Sequence, residues 1–207
     1  MLLSLETLII DYKLKIAGVI HVGAHYGQEV PIYTKCGIDK VLWFEPQPKA
    51  FAKLLLNAPK THKCFNLALG NSSQVLQMHI ENNNDGQSSS FLPPKLHKDF
   101  YPSIRFTHTG AYRVSRLDDL RFDFSRYNMM NLDVQGYELN CLRGAESWLT
   151  SYCDYVYTEV NLLELYENVP LFDELHAFLR ELGFALVEMK CVAQGWGDAF
   201  FVKRSLL

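Results

Sequence analysis

Residues 18–46 constrain the fold of this chain more than any other segment. An apolar run at 18–22 continues into the glycine-bearing turn that starts at Gly23, and a second apolar run at 40–44 ends in Glu45. Strand, glycine turn, helix, strand and acid, in this order, are typical of a parallel βαβ unit, which binds ligands where its strands end. The segment therefore predicts an open α/β sheet with a ligand site at the carboxyl ends of its strands.

The spacing within this unit indicates the kind of ligand. Glu45 follows Gly23 by 22 positions, a spacing at which an acid can accept hydrogen bonds from ribose hydroxyls. Gly23 and Gly27 are spaced G-x-x-x-G, which is neither a dinucleotide fingerprint nor a P-loop. A ribose-binding acid without a pyrophosphate site favours a nucleoside cofactor, of which S-adenosylmethionine is the commonest. Alternatively, the glycines serve only a tight turn and Glu45 is a solvated loop residue.

Length and composition indicate one ordinary globular domain. The 207 residues suit a single α/β domain spanning 1–207, and 48% hydrophobic with 21% charged residues is usual for such a domain. Residues 1–15 are apolar but include Glu6 and lack a signal-peptide pattern, so we expect a lead-in helix. The net charge of −3 gives no general attraction to nucleic acid or to an anionic membrane.

The cysteines indicate the compartment. There are five of them, an odd number, and none forms a C-x-x-C pair. This usage favours reduced thiols in the cytoplasm and disfavours a zinc site. No apolar run is long enough to cross a bilayer, so we expect no membrane partner.

Apolar runs alternate with helical patterns along the chain, which predicts a mostly parallel seven-stranded sheet with helices on both faces and an antiparallel last strand. The predicted strands are 18–22, 40–44, 64–69, 129–133, 155–160, 185–190 and 199–203, and the predicted helices are 27–36, 48–57, 138–150 and 171–182. Residues 74–80 alternate like a half-exposed strand. Residues 81–113 are rich in polar residues and include proline, and we predict a long loop or lid there.

Two further acids follow later predicted strands. Asp133 ends one strand, and Glu159 lies at the end of the next. Because the carboxyl ends of parallel strands meet at one edge of the sheet, Asp133, Glu159 and Glu45 should face one cleft. Helix capping is the structural alternative for Asp133.

Short motifs run in order over residues 16–203 and together resemble the FkbM family of S-adenosylmethionine-dependent methyltransferases. They are HVGAHYGQE (21–29), WFEP (43–46), NLALG (66–70), VSRLDDL (114–120), LDVQGYE (132–138), LRGA (142–145), TEV (158–160) and GDAFFV (197–202). The resemblance implies a Rossmann-like class I methyltransferase fold. The chain departs from the family pattern at His21, where an acid is usual, at His25, where asparagine is usual, and at Gln135, where glutamate is usual.

The resemblance, together with the strand ends, gives a set of expected site residues. For the cofactor S-adenosylmethionine they are His21, Gly23, Ala24, His25, Gly27, Glu45, Pro46, Ala68 and Asp133. For the acceptor they are Ser89, Ser90, Gln135, Glu159, Trp196 and Asp198. A hydroxyl acceptor must lose a proton during attack, and Asp133 is the first candidate base, followed by Glu159 and then by His21 or His25. We expect no dedicated metal site, although Mg²⁺ bridging Asp133 and Glu159 is a minor alternative.

The family resemblance implies O-methylation of a small acceptor, and the polar and aromatic residues of 81–113 favour a sugar or glycan hydroxyl. Another small hydroxylated metabolite is the nearest alternative. A nucleotide-sugar oxidoreductase on the same sheet and a non-catalytic nucleoside-binding module are the rival classes. No basic stripe is present, so nucleic acid is not expected as the acceptor. The oligomeric state stays open.

Overall fold

The structure is a computed structural model and describes residues 2–207. Ten strands are present in this range: β1 (Val19–Val22), β2 (Val41–Phe44), β3 (Lys63–Phe65), β4 (Ala68–Leu69), β5 (Gln74–Glu81), β6 (Phe106–Ser115), β7 (Met129–Leu132), β8 (Tyr155–Asn161), β9 (Phe184–Cys191) and β10 (Trp196–Lys203). Seven of them form the central sheet in the order β3-β2-β1-β7-β8-β10-β9. Strands β3, β2, β1, β7 and β8 are parallel to one another. Strand β10 lies between β8 and β9 and is antiparallel to both. The predicted sheet, including its antiparallel end, is confirmed.

Helices cover both faces of this sheet. They are α1 (Leu5–Asp11), α2 (Val30–Lys35), α3 (Pro48–Asn57), α4 (His97–Phe100), α5 (Glu138–Arg143), α6 (Glu146–Ser151) and α7 (Phe172–Glu181). Successive side chains of a strand point to opposite faces, and β1 shows this directly. Val19 packs with the apolar residues of α1, α2 and α3, whereas Ile20 packs with those of α5, α6 and α7. Both faces are therefore buried, which explains the continuous apolar runs in the sequence.

The predicted helix 138–150 is two helices, α5 and α6, separated at Gly144. A Cβ built on Gly144 would lie 1.8 Å from the carbonyl oxygen of Gly70. The chain therefore needs glycine where these two backbones approach, and the helix ends there. The helix predicted at 27–36 begins only at Val30, because residues 25 and 27 have positive φ values that are incompatible with a helix. Of the predicted lead-in helix 1–15, residues 5–11 are helical.

A second, three-stranded sheet has the order β4-β6-β5. The predicted strand 64–69 is therefore wrong as one element, because β3 joins the central sheet and β4 joins the small sheet. The loop predicted at 81–113 is wrong over its last part, since Phe106–Ser115 is strand β6 paired with β5. Most side chains of β6 are exposed or half-buried, so it lacks the apolar alternation that would have indicated a strand.

All five cysteines are free thiols in the structure. Among residues 2–207 no helix is long and apolar enough to cross a membrane.

Candidate active site

A cavity of about 480 Å³ lies beyond the carboxyl ends of β1, β2, β7 and β8. This volume is within the range of small-molecule sites. The structure brings most of the predicted site residues together in the cavity wall: His21, Gly23, His25, Glu45, Pro46, Ala68, Ser89, Asp133, Gln135, Glu159, Trp196 and Asp198.

Three predicted ligand contacts lie outside this wall. Ala24 is fully buried in the core beside the first three helices. Gly27 faces Leu54 and has a φ of +75°, which suits a turn. The Ser90 hydroxyl donates to the carbonyl oxygen of Gln135 at 2.6 Å. We reassign these three residues from ligand contact to support of the surrounding chain.

Gly23 brings the ends of β1 and β7 together. It has a φ of +81°, a conformation that glycine adopts without strain. A Cβ at this position would lie 1.8 Å from the carbonyl oxygen of Asp133. The glycine therefore sets the close approach that places Asp133 beside the end of the first strand.

Glu45 follows β2 and is 3% exposed. Its Oε2 accepts from the backbone N–H of His25 at 2.8 Å, and its Oε1 accepts from that of Gln47 at 2.7 Å. Burial raises the pKa of Glu45 to about 7, although both backbone hydrogen bonds act in the opposite direction. Each carboxylate oxygen has a second acceptor direction, so a ribose diol can bind the same group. The arrangement fits a nucleoside ligand.

Asp133 and Glu159 form a pair bridged by Gln135. Nε2 of Gln135 donates to Oδ1 of Asp133 at 2.9 Å and to Oε2 of Glu159 at 3.1 Å. The Tyr166 hydroxyl lies 2.9 Å from Oε1 of the same amide and 3.0 Å from the carbonyl oxygen of Ser88. The sequence identified Gln135 as an acceptor contact but gave no signal that it would join the two acids.

The turn after β7 aims Asp133 into the cavity. The buried Glu138 carboxylate accepts from the N–H groups of Val134 at 2.9 Å and Gly136 at 3.2 Å, which fixes the turn. The Asp133 side chain is open to the cavity, and the surrounding protein, by partly desolvating the carboxylate, raises its pKa. Burial, followed by the charge of Asp133, raises the pKa of Glu159 well above its usual value.

His21 is a buried neutral histidine. The Tyr33 hydroxyl accepts from Nδ2 of Asn131 at 2.7 Å and lies 2.8 Å from Nδ1 of His21. Tyr33 therefore donates to Nδ1, and the imidazole proton is assigned to Nε2, which lies 3.7 Å from the Glu29 carboxylate. Burial lowers the pKa of His21 to about 3, against the opposing charge of Asp133.

His25 is engaged at both ring nitrogens. Nε2 lies 2.9 Å from the carbonyl oxygen of Asp85 and therefore donates to it, so Nδ1 accepts from Nε2 of Gln28 at 2.7 Å. A base needs a free lone pair at the reacting atom, and His25 presents none in this arrangement. The structure therefore does not support the candidate role of His25 as the base and gives it a structural one.

Residues 82–90, here named the covering segment, lie over the cavity. The buried carboxylate of Glu81 anchors the segment by accepting from the N–H groups of Asn83, Asn84 and Gly86. The carbonyl oxygen of Asp85 contacts His25 and that of Ser88 contacts Tyr166, as described above. In addition, the carbonyl oxygen of Gly86 accepts from Nε2 of Gln47 at 3.2 Å. This part of the predicted lid is therefore fixed both to residues near Glu45 and to Tyr166, near the acid pair.

Aromatic side chains form part of the cavity wall. Nε1 of Trp196 donates to the Tyr101 hydroxyl at 2.8 Å, and Phe91 lines the same cavity. Asp198, predicted to contact the acceptor, lies in the cavity wall, and its Oδ2 accepts from the Tyr157 hydroxyl and from the backbone N–H groups of Leu2 and Leu3. Within residues 2–207 the cavity wall contains no lysine or arginine.

A family model for the FkbM methyltransferase domain matches residues 21–186. The chain belongs to the FkbM methyltransferase family. Its methyl donor is S-adenosylmethionine. The identification favours a methyltransferase over the oxidoreductase and the non-catalytic module considered from the sequence. A comparison with curated protein sequences finds no match.

Solved structures share the class I methyltransferase fold with this FkbM domain. An FkbM methyltransferase from Methylobacillus flagellatus superposes with a TM-score of 0.58 at 12% identity, over 89% of this chain and 43% of the other. The chain therefore spans less than half the length of that relative. Magnesium protoporphyrin IX methyltransferase from Synechocystis, with bound S-adenosylmethionine, gives 0.53 at 12% identity over 96% and 75% of the two chains. Ribosomal protein L11 methylase from Lactobacillus delbrueckii gives 0.53 at 12% over 97% and 78%.

Several residues of the FkbM domain site were not predicted from the sequence, among them Tyr166 and Glu29. Tyr166 follows β8 by several residues and lies in no motif, although its hydroxyl contacts Gln135, the residue that bridges the two acids. Glu29 lies within the first motif, but only the fold shows its approach to His21. In the part of the FkbM domain that the structure describes, no group of three or more His, Cys, Asp or Glu side chains is arranged to hold a metal ion.

Proposed function

We propose that this FkbM domain is an O-methyltransferase whose acceptor is a hydroxyl group of a sugar or glycan. The observation that carries the proposal is the Asp133 carboxylate, which is open to the cavity, has a raised pKa and is held by Gln135 next to Glu159. A hydroxyl is a weak nucleophile unless a group beside it accepts its proton. Asp133 is placed to be that group.

The cofactor half of the proposal rests on Glu45. The fixed carboxylate would hold the ribose hydroxyls, and Pro46 and Ala68 would line the nucleoside part of the cavity. When bound, S-adenosylmethionine supplies an electrophilic methyl group. His21, Glu29 and Asn131 lie on the β1 and β7 side of the cavity, where the remainder of the cofactor would extend.

The two acids differ in their exposure to the cavity. Burial raises the pKa of both, and Glu159 is buried whereas Asp133 is open to the cavity. Asp133 would therefore be the base, and Glu159 the acid that more readily holds a proton. Gln135 binds Oδ1 of Asp133, and within residues 2–207 no hydrogen bond reaches Oδ2. Oδ2 would then accept the proton of the acceptor hydroxyl, and Glu159 would orient the acceptor.

The cavity wall supports an uncharged acceptor. Carboxylates without cationic side chains disfavour phosphate-bearing acceptors, which agrees with the expectation that nucleic acid is not the substrate. Trp196, Tyr101 and Phe91 offer faces for a ring. The same faces can take the ring of a phenol, so another small hydroxylated metabolite remains the second candidate.

A methyl-transfer screen tests the proposal. The protein is incubated with S-adenosylmethionine and a panel of methyl glycosides, free sugars and small phenols, and products are identified by mass spectrometry. We expect one added methyl group on a sugar oxygen, and no such product from Asp133→Asn. Methylation only of phenols would support the second candidate. Methylation only of amines, nucleic acid or protein would refute the proposal.

A further inference from the structure

His97 is a buried histidine without a partner in the wall of the cavity. Its side chain is 4% exposed and lines the cavity, yet within residues 2–207 it makes no hydrogen bond. Buried polar groups are almost always hydrogen-bonded in folded proteins. An exception that faces a ligand cavity indicates that a ligand supplies the missing partner.

The backbone holds His97 in place. It begins the short helix α4, its N–H donates to the carbonyl oxygen of Leu165 at 3.0 Å, and Lys95 donates to the same oxygen at 2.8 Å. Its ring lies among three aromatic rings, with centroids 4.9 Å from Tyr101 and 5.4 Å from both Phe106 and Tyr166. The imidazole is therefore fixed in orientation.

The two ring nitrogens differ. Nδ1 is fully buried without a partner, whereas Nε2 also lacks a hydrogen bond within residues 2–207 but is not fully buried, so Nε2 is the nitrogen that can reach the cavity. An unpaired buried N–H is rarer than an unpaired acceptor, which assigns the proton to Nε2. Burial lowers the pKa of His97, against the opposing charge of Glu81, and the ring is neutral. His97 thus presents one hydrogen-bond donor to the cavity.

The position of His97 relative to the acid pair indicates what it binds. Tyr166 contacts His97 with its ring and Gln135 with its hydroxyl, and Gln135 bridges Asp133 and Glu159. One tyrosine side chain therefore separates His97 from the acids. A methyl acceptor long enough to span this gap could place one hydroxyl at Asp133 and a second oxygen at His97.

We propose that His97 determines acceptor specificity by donating a hydrogen bond from Nε2 to an oxygen of the acceptor other than the one that is methylated. This inference rests on the proposed O-methyltransferase function. It extends that function by requiring an acceptor with at least two oxygens, as in a polyhydroxylated ring, and by assigning the selection between such acceptors to His97.

The test uses His97→Phe, which keeps a ring but removes both nitrogens, and His176→Phe as the matched control. His176 lies on α7 against Phe172 and Phe201, outside the cavity. The kcat/KM values are measured for the glycoside or phenol that the wild type methylates and for its analogues that lack one other oxygen each. For the wild type and for His176→Phe, we expect the kcat/KM of one analogue to be roughly tenfold or more below that of the parent acceptor. With His97→Phe we expect the parent and that analogue to be methylated equally well.

A second measurement does not depend on turnover. Protein with ¹⁵N-labelled histidine is saturated with S-adenosylhomocysteine, and the imidazole resonance that is absent in His97→Phe is followed while methyl glycosides or phenols are added. We expect this resonance to shift. Turnover with unchanged discrimination in His97→Phe would overturn the inference and leave the proposed function intact. A shift without any turnover would support the His97 contact and refute methyl transfer to these acceptors, whereas neither turnover nor a shift would overturn both.

Discussion

Glu45 should make nucleoside binding depend on pH around neutrality. Its pKa in the unliganded protein is about 7 because the side chain is buried. Ribose hydroxyls are donors, so they bind the ionised carboxylate and not the neutral acid. Binding is therefore strongest above pH 7 and weakens as the pH falls through 7.

The size of the effect follows from two opposing terms. Raising a carboxyl pKa from 4.5 to about 7 disfavours the ionised side chain by about 3 kcal/mol. Two hydroxyl donors to a charged group contribute about 1.5–3 kcal/mol each, which is enough to offset this cost. In the complex the pKa of Glu45 should therefore return towards its usual value. The affinity then falls about tenfold for each pH unit below 7, and the ligand should bind about tenfold more weakly at pH 6 than at pH 8.

The assay is titration calorimetry with 5′-methylthioadenosine, which carries the ribose diol but not the ionisable amino and carboxyl groups of methionine. In Glu45→Ala, which removes both hydrogen bonds, binding at pH 8 should weaken by about 3–6 kcal/mol, and the dependence on pH between 6 and 8 should disappear. An equal pH dependence in the wild type and Glu45→Ala would assign the titration to another residue. Unchanged affinity in the variant would refute the ribose contact.

Three further perturbations test the acid pair and the strand contact. Asp133→Asn should lower turnover by about 10²–10⁴ while the affinity for S-adenosylhomocysteine changes little, and near-normal turnover would place the base elsewhere. Chelation with EDTA should leave turnover unchanged, because the Gln135 amide occupies the position between Asp133 and Glu159 that a bridging cation would need; loss of turnover, restored by Mg²⁺, would favour the bridged alternative. Gly23→Ala should lower the free energy of unfolding by more than ~2 kcal/mol. The control Gly37→Ala, whose added Cβ meets no neighbouring atom, should lower it by only ~1 kcal/mol. Equal losses in denaturant unfolding would contradict the steric argument.

The central sheet could be predicted because its strands are buried on both faces. Residues such as Val19 and Ile20 pack on opposite sides, so both had to be apolar and the run was continuous. Strand β6 escaped prediction because backbone pairing with β5 holds it, and its exposed side chains carry no pattern. The break at Gly144 depends on a contact with Gly70, which is distant in the sequence.

The positions of the acids could be predicted for a related reason. Glu45 and Asp133 directly follow parallel strands and Glu159 lies two residues before the end of β8, and the topology alone brings those ends together. Hydrogen-bond partners could not be predicted in this way. Gln135 joins the two acids because its backbone has a φ of +54° and its side-chain amide is held by the Tyr166 hydroxyl. Neither feature can be seen in the local sequence.

The covering segment has a kinetic consequence. It is fixed at one end to His25 and Gln47, on the side of Glu45, and at the other to Tyr166, on the side of the acid pair. A single stretch of backbone therefore contacts both sides of the cavity, and we expect it to move as one unit when ligands enter or leave. We expect the residence times of the two products to be linked, with demethylated cofactor and methylated acceptor leaving after one common opening event.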